Sequence, residues 1–345
     1  MRYFLPLALA LSLLAKADDI TPRVGLIEVY GARKVSNEKI RSAIQSKVGD
    51  RLPSREDAEE RIDKLSGILA SRVEAVCCLN HGTVLYVGVS ERDAPHLEFN
   101  PAPTGEVKLP NSLFEDYRSL LDNVEASIRG RNADEDLTNG YSLMADPQSR
   151  ELQQSFLPAV EQNLVAINSV IRESADPEQR AAAAYLLQYG PRGPRLIKTS
   201  IDALQSALRD REDLVRQNAV RSLHAIEVGA KLHPEQALHL QLTWFVELMN
   251  SVVWSDRHNA SLVLVDLTES RDPATLQLLR DRALPSVLEM ARWHDLQHAL
   301  PAFILAGRLA GMDEKTIKQA WVSEDRETVL KAALKHQGKR YKYEN

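Results

Sequence analysis

The sequence predicts a two-part fold: a small α+β domain of order β-α-α-β-β, then an all-α solenoid of helical repeats. Three observations carry that prediction. Alternating β-branched segments near the N-terminus enclose two amphipathic helical stripes. No ten-residue alternating segment follows them, and apolar spacings of three and four take over. Between residues 180 and 305 a short frame recurs about every 40 positions, a period typical of stacked helix pairs.

The chain has 345 residues, of which 44% are hydrophobic and 26% charged, enough for a sizeable core and more than one domain. A net charge of −5 argues against nonspecific nucleic-acid binding, and 6% aromatics are too few for a base-stacking platform. The first element is the opening "MRYFLPLALALSLLAKADD". Arg2 precedes an apolar stretch from Phe4 to Leu14, and Ala15-Lys16-Ala17 is a small-x-small cleavage site. The stretch is too short to span a bilayer, which takes about 20 residues. Residues 1–17 therefore read as a cleaved signal peptide. Cleavage after Ala17 removes Arg2 and Lys16, leaving 41 Lys and Arg against 48 acids, a charge of −7. The most apolar later segment, Ala299 to Leu309, is short and carries Arg308, so no membrane span is expected after cleavage.

The α+β domain is expected over residues 22–94. In "VGLIEVYGARKV", Leu26, Glu28 and Tyr30 fall on one side of a strand and Ile27 and Val29 on the other, and Gly31 ends it. Ser36 caps a helix with Ile40, Ala43, Ile44 and Val48 on one face, stopped by Gly49. Ser54 with Asp57 opens a second helix, whose stripe is Ala58, Ile62, Leu65 and Leu69. Strands follow at Val73–Leu79 and Val84–Val89, with a turn at Asn80-His81-Gly82. Cys77 and Cys78 are the only cysteines. Adjacent residues suit a disulfide poorly, because Cα atoms 3.8 Å apart are closer than the usual bridge of about 5.5–6 Å. The candidate readings are one thiol buried and one on the opposite strand face, a vicinal or intermolecular disulfide, or a metal ligand lacking companions.

The run "IEVYGARKVSNEKIRSAIQSKVGDRLPSREDAEERIDKL", closing on "VLYVGVSER", resembles a POTRA-type domain. The matching features are a strand ending in V-x-G, then K-V-S-x-E-x-I, G-D-x-L at a helix end, and a final strand ending V-x-E-R at Val89–Arg92. The resemblance covers about 70 residues. It implies an exported module, in the periplasm of a Gram-negative bacterium or else secreted, that binds polypeptides by adding a strand to its sheet edge. POTRA units usually precede a membrane β-barrel, and the helical remainder departs from that pattern.

Residues 95–110, "PHLEFNPAPTGEVKLP", read as a Pro-rich extended linker. Residues 111–173 form a helical region leading into the repeats. Leu113, Tyr117, Leu120, Val124 and Ile128 share one helical face, ended by Gly130. "GRNADEDLTNG" reads as polar loop with a frayed helix. Asp146-Pro147 opens a long helix with an apolar stripe at Leu152, Phe156, Val160, Leu164, Ile167 and Ile171, and Pro158 inside it.

Residues 174–334 carry the repeats, and 335–345 a polar basic tail. The frame is Arg, a small or tight residue three on, and Leu seven on. Arg180, Ala183 and Leu187 form the first copy. Arg216, Ala219 and Leu223 form the second, and Arg257, Ala260 and Leu264 the third. His298, Pro301 and Leu305 make a weakened fourth. Small residues let neighbouring helices approach, and the leucines fill the layers between them. "ADPEQRAAAAYLLQYG" and "DREDLVRQNAVRSL" resemble HEAT repeats, with D-x-x-x-V-R-x-x-A-x-x-A-L nearly complete in Asp210–Leu223. The resemblance implies three or four divergent HEAT-like units and a protein-binding scaffold.

One motif invites a chemical reading. His294-Asp295-Leu296-Gln297-His298 is one residue from the zinc-protease pattern H-E-x-x-H. Such a site needs both histidines on one helix, a third ligand and a glutamate base. Here the frame puts His298 in the place of the arginines and His294 before the helix, and Asp is shorter than Glu. His294 and His298 are weak metal candidates at best, and no catalytic residue or cofactor is expected. Sequence patterns for a nucleophile elbow, a P-loop or a dinucleotide site are missing. Trp244, Trp254 and Trp293 read as packing residues, the acidic run 55–64 as a solvated helix face, and Arg216 and Arg257 as partners of acids at the preceding turn. The expected function is an exported, non-enzymatic scaffold for other polypeptides, with cell-envelope assembly or secretion as the expected setting. The alternatives are a metal-dependent hydrolase or other enzyme on a helical solenoid, and a constitutive subunit of an envelope complex.

Overall fold

A computed structural model describes residues 22–79, 82–94, 96–129, 134–233 and 240–335. The expected signal peptide, Asn80-His81, Gly130 and residues 336–345 of the basic tail lie outside the described residues, as do the side chains of Cys77 and Cys78.

The N-terminal sheet has the expected element order: β1 (Val24–Tyr30), α1 (Asn37–Ile44), α2 (Arg55–Asp63), β2 (Ile68–Leu79) and β3 (Gly82–Glu91). Central β3 runs parallel to β1 and antiparallel to β2. The side chains of Ser36 and Ser54 accept the N–H groups of Lys39 and Asp57, satisfying otherwise orphaned donors at the starts of α1 and α2. Several boundaries differ from the sequence prediction, and β3 runs two residues longer at each end than Val84–Val89. Helix α1 stops at Ile44, where Gln45 turns left-handed (φ 57°), so Val48 is exposed rather than on the buried stripe. Helix α2 stops at Asp63. Gly67, at φ 95°, then turns the chain into β2 five residues before the expected start, so Leu69 lies on a strand.

The alternation of β1 and β3 decides how the sheet is covered. Ile27, Val29, Leu85, Val87 and Val89 pack with Ile40, Ile44, Ala58 and Ile62 of α1 and α2. Tyr30, Val84 and Tyr86 face the other way and belong to the core of the helical region. The sheet is thus buried on both faces.

Among the described residues, the remainder contains α3 (Asn111–Arg129) and five helix pairs. These are α4 (Pro147–Glu173) with α5 (Pro177–Leu186), α6 (Pro194–Ala207) with α7 (Asp213–Leu232), α8 (Thr243–Leu248) with α9 (Trp254–Leu267), α10 (Pro273–Met290) with α11 (Leu296–Leu309), and α12 (Glu314–Val322) with α13 (Arg326–Lys335). The second helices form one row, α5, α7, α9, α11 and α13, each packed on the next. This is a helical-repeat stack. Asp146, Asp176 and Asp272 cap helices that begin with proline, a residue suited to the first turn because its missing N–H has no helical partner there. Ala183, Ala219 and Ala260 are fully buried in this row, as are Leu187, Leu223 and Leu264.

The segment read as polar loop forms a small hairpin instead. Strand β4 (Glu135–Asp136) pairs with β5 (Leu143–Met144). Distant side chains hold it: Gln188 accepts the Ser142 N–H, Gln153 accepts the Met144 N–H, and Arg221 pairs with Glu135. The Pro-rich linker has little regular structure, yet it is fastened along the stack. Asn100 N–H donates to Arg209 O, Gly105 N–H to Glu173 O, and Leu109 N–H to the Gln179 side chain. It therefore leads back from the sheet, beside α9 and α11, past α7 to α5.

Candidate functional site

Chemistry-bearing side chains gather where the sheet meets the stack. From β1, the Glu28 carboxylate accepts the backbone N–H of His294 at 2.6 Å and lies 2.7 Å from its Nδ1. From β3, the Tyr86 hydroxyl lies 2.7 Å from Nδ1 of His298. From β2, Glu74 accepts the backbone N–H of Trp254 and the Ser255 hydroxyl. Tyr30 donates its hydroxyl to Val252 O at 2.8 Å, and the Gly31 N–H donates to Glu289. Rings fill the space between: Tyr86 stacks on Trp254 with centroids 5.0 Å apart, and Trp293 touches both Tyr30 and Tyr86. Gly88 makes the approach feasible, since a Cβ there would lie 2.0 Å from Val252 O.

This arrangement accounts for the His294–His298 spacing. Asp295 caps α11 by accepting the His298 N–H, which puts His294 before the helix and His298 on its third residue. Their rings are engaged by two different strands. The His294 side chain is largely exposed, whereas His298 lies inside against Trp254 and His258. Among the described residues no group of three His, Cys, Asp or Glu side chains is gathered to hold a metal.

The repeat arginines form an internal spine. Arg180 forks onto Asp210 at 2.7 and 2.9 Å, Arg216 onto Asp256 at 2.7 to 3.1 Å, and Arg257 reaches Glu289 at 2.9 Å. Each also donates to carbonyls of its own preceding turn, such as Ser174, Asp210 and Ser251. The partner acids thus belong to the following repeat, not the preceding turn. Arg216 and Asp256 are 1% and 0% exposed, so the pair is desolvated and must satisfy itself internally. Burial pushes the Asp256 carboxyl up, and Arg216 pulls against that. Counted from the capping positions at 176, 212 and 253, the three arginines stand fourth. His298 stands third after Asp295, so Ala299 occupies the frame position and the fourth copy is offset by one.

The tryptophans divide. Trp293 is buried, while Trp244 and Trp254 are partly buried against the same core. The acidic run on α2 is mostly exposed, with ion pairs Arg55–Glu59 and Lys64–Glu60, but Glu59 also accepts the Val73 N–H of β2. Sequence reasoning put Glu28 and Tyr30 on one strand face without a role, found no motif that places His258, and did not single out Glu74 or Tyr86. One signal was present: the unbroken apolar run Val84–Val89, typical of a strand covered on both faces.

Two clefts flank the junction. One, of about 730 Å³, lies between the end of β1 and β3 and helices α8 and α10, with Arg33, His96, Arg282 and Glu289 in its walls. The other, of about 520 Å³, follows β2 from Val73 to Val76. Leu52, Pro53 and Arg55 line it on one side and Gln217, Trp254 and Ser255 on the other.

No family model matches the chain, and no curated protein matches it. Over 65% of its length the chain is similar to designed armadillo repeat proteins. One is 16% identical, matched over 98% of its own chain, with a TM-score of 0.36. A second, computationally designed for modular peptide recognition, is 17% identical over 98% of its chain, with a TM-score of 0.37. A third, in complex with the peptide (KR)4, is 16% identical over 99% of its chain, with a TM-score of 0.35.

Proposed function

We propose that the protein is a non-enzymatic polypeptide-binding scaffold acting outside the cytoplasm, and that it takes an extended partner segment along the edge of β2. The carrying observation is the cleft beside that edge. Residues from both faces of β2 line it, Val73 and Ala75 from one and Glu74 and Val76 from the other, so the strand's backbone edge is its floor. In an antiparallel pair successive residues turn their amide groups alternately to the neighbour and away. The Val73 N–H turns away, reaching Glu59, and the same alternation turns the Ala75 N–H and C=O away from β3. An added strand would bond the Ala75 N–H and C=O while its side chains meet Leu52 and Pro53 on one side and Trp254 on the other.

The POTRA-like motifs and the β-α-α-β-β order support reading the sheet as an exported recognition module. The repeat frame supports reading the stack as HEAT-like. The N-terminal sequence supports export, and mass spectrometry of the mature protein should find Asp18 first.

The decisive experiment places photocrosslinking residues at Pro53 and at Leu262, an exposed position on α9, in the native envelope. It compares wild type with Ala75→Pro. Proline at an outward-facing edge position removes one free donor without touching the ladder to β3. A partner captured at Pro53 but not at Leu262, and lost in Ala75→Pro with folding unchanged, supports the reading. Capture that ignores Ala75→Pro, or none, overturns it. Deleting residues 22–94 is a poorer test, because the stack would lose the cover of its junction aromatics.

A further inference from the structure

We infer that the junction between sheet and stack is a pH-sensitive latch, closed while His258 and His298 are neutral and released as they take up protons. The inference goes beyond strand addition and holds whether or not β2 takes a partner.

The geometry is specific. The two imidazoles meet edge to face with centroids 5.0 Å apart, from α9 and α11. His258 lies flat on Trp254 at 4.8 Å, and Trp254 in turn stacks on Tyr86 of β3. His258 has no hydrogen-bond partner for its buried Nδ1. The His298 Nδ1 is bonded to the Tyr86 hydroxyl, one of the ties between stack and sheet. Two cations at this separation in a desolvated aromatic cluster repel, and each must shed hydration to stay.

The surrounding charges relieve this only in part. On α11, Asp295 is 3.5 Å from His298 but already caps the helix. On β1, Glu28 is held by His294. On α9, Asp256 is held by Arg216, and Arg257 faces Glu289 of α10. On β2, Glu74 is bonded to Trp254 and Ser255. Tyr86 of β3 and Tyr30 of β1 are phenols whose burial pushes them above their ordinary range, so they stay protonated.

The sign follows from linkage. Burial, then the neighbouring His298, pushes His258 down from 6.5 to about 4. Burial also lowers His298, against the pull of Asp295. The open form therefore binds more protons, and docking weakens as pH falls from about 6.5 towards 4. His258 alone would shift the open-to-closed ratio about 30-fold at pH 5. Glu74 acts in the opposite sense, because burial raises its carboxyl and favours the closed form as acid is added. The two imidazoles sit at the ring contact itself, so the release is assigned to them, and Glu74→Gln should enlarge it.

Amide hydrogen exchange on the whole protein tests this between pH 7.5 and 5, corrected for the intrinsic rate. Protection should fall at least tenfold in residues 251–258 and 293–299, while residues 84–88, held in the sheet's own ladders, and residues 181–187 and 219–226 of the stack stay protected. His258→Phe, which keeps a ring against Trp254 and cannot protonate, should remove most of the change, and His258→Gln serves if Phe does not fold. Unchanged junction protection overturns the latch. So does equal loss throughout the stack, or an undiminished pH response in both variants.

Discussion

The hydroxyl of Tyr86 lies 2.7 Å from Nδ1 of His298, joining a strand of the N-terminal sheet to a helix 212 residues away in the chain. This contact gives the second histidine of a zinc-like pattern a structural partner. It also makes the sheet part of the stack's core rather than a tethered bead.

Gly88→Ala should loosen the junction without unfolding the sheet's own core. The new methyl group would lie 2.0 Å from Val252 O and 2.7 Å from the Tyr30 ring. Backbone cannot yield as a flexible side chain can, so a loss of about 1–3 kcal/mol is expected. Denaturant unfolding measures it, and a wild-type midpoint would contradict the close approach.

Arg216→Ala should cost about 3–5 kcal/mol, because it leaves the Asp256 carboxylate buried without its counter-ion. The double variant Arg216→Met, Asp256→Leu should recover a large part of that loss. Urea midpoints of the single and double variants decide it. Equal destabilisation in both would mean that packing, not charge, holds the rung.

Residues 95–335 produced alone should be aggregation-prone and bind a hydrophobic dye. Removing the sheet uncovers Trp293 and Trp254, which Tyr30 and Tyr86 now cover. Size-exclusion chromatography with dye fluorescence checks this, and a monodisperse, dye-silent product would refute it.

Zinc should not bind stoichiometrically to the purified protein. Glu28 and Tyr86 engage the two imidazoles from different strands. Elemental analysis after dialysis is the measurement. One tightly held equivalent that disappears in His298→Ala would revive the metallohydrolase alternative.

The parts of the fold legible in the sequence were those written in local spacing. The opposite faces of Leu26, Glu28 and Tyr30 against Ile27 and Val29, the caps at Ser36, Ser54 and Asp146, and the arginine frame are all short-range patterns. What escaped depends on distant partners. Glu28 on a strand looks like an ordinary exposed acid until His294 reaches it from 266 residues away. The hairpin at 135–144 is polar by composition and ordered by Gln153, Gln188 and Arg221. The fifth helix pair lacks the frame arginine altogether, since its buried anchor is Val329. The β2 cleft is lined from four further segments, at 52–55, Leu85, Gln217 and 254–255, so no spacing announces it.

The pairing of Glu28 with His294 also sets an order of events during synthesis. A ribosome adding about 5–20 residues per second needs on the order of 10–50 s to pass from one to the other. For most of that interval the helix-covered side of the sheet has its complete core, while Tyr30 and Tyr86 remain a bare aromatic stripe until α9 brings Trp254 and the next repeat brings Trp293 and His298. The earliest-made domain therefore waits for one of the latest-made repeats. A chain cut before residue 252 leaves the whole stripe uncovered, and one cut between 258 and 293 leaves it with α9 alone, without Trp293 or His298.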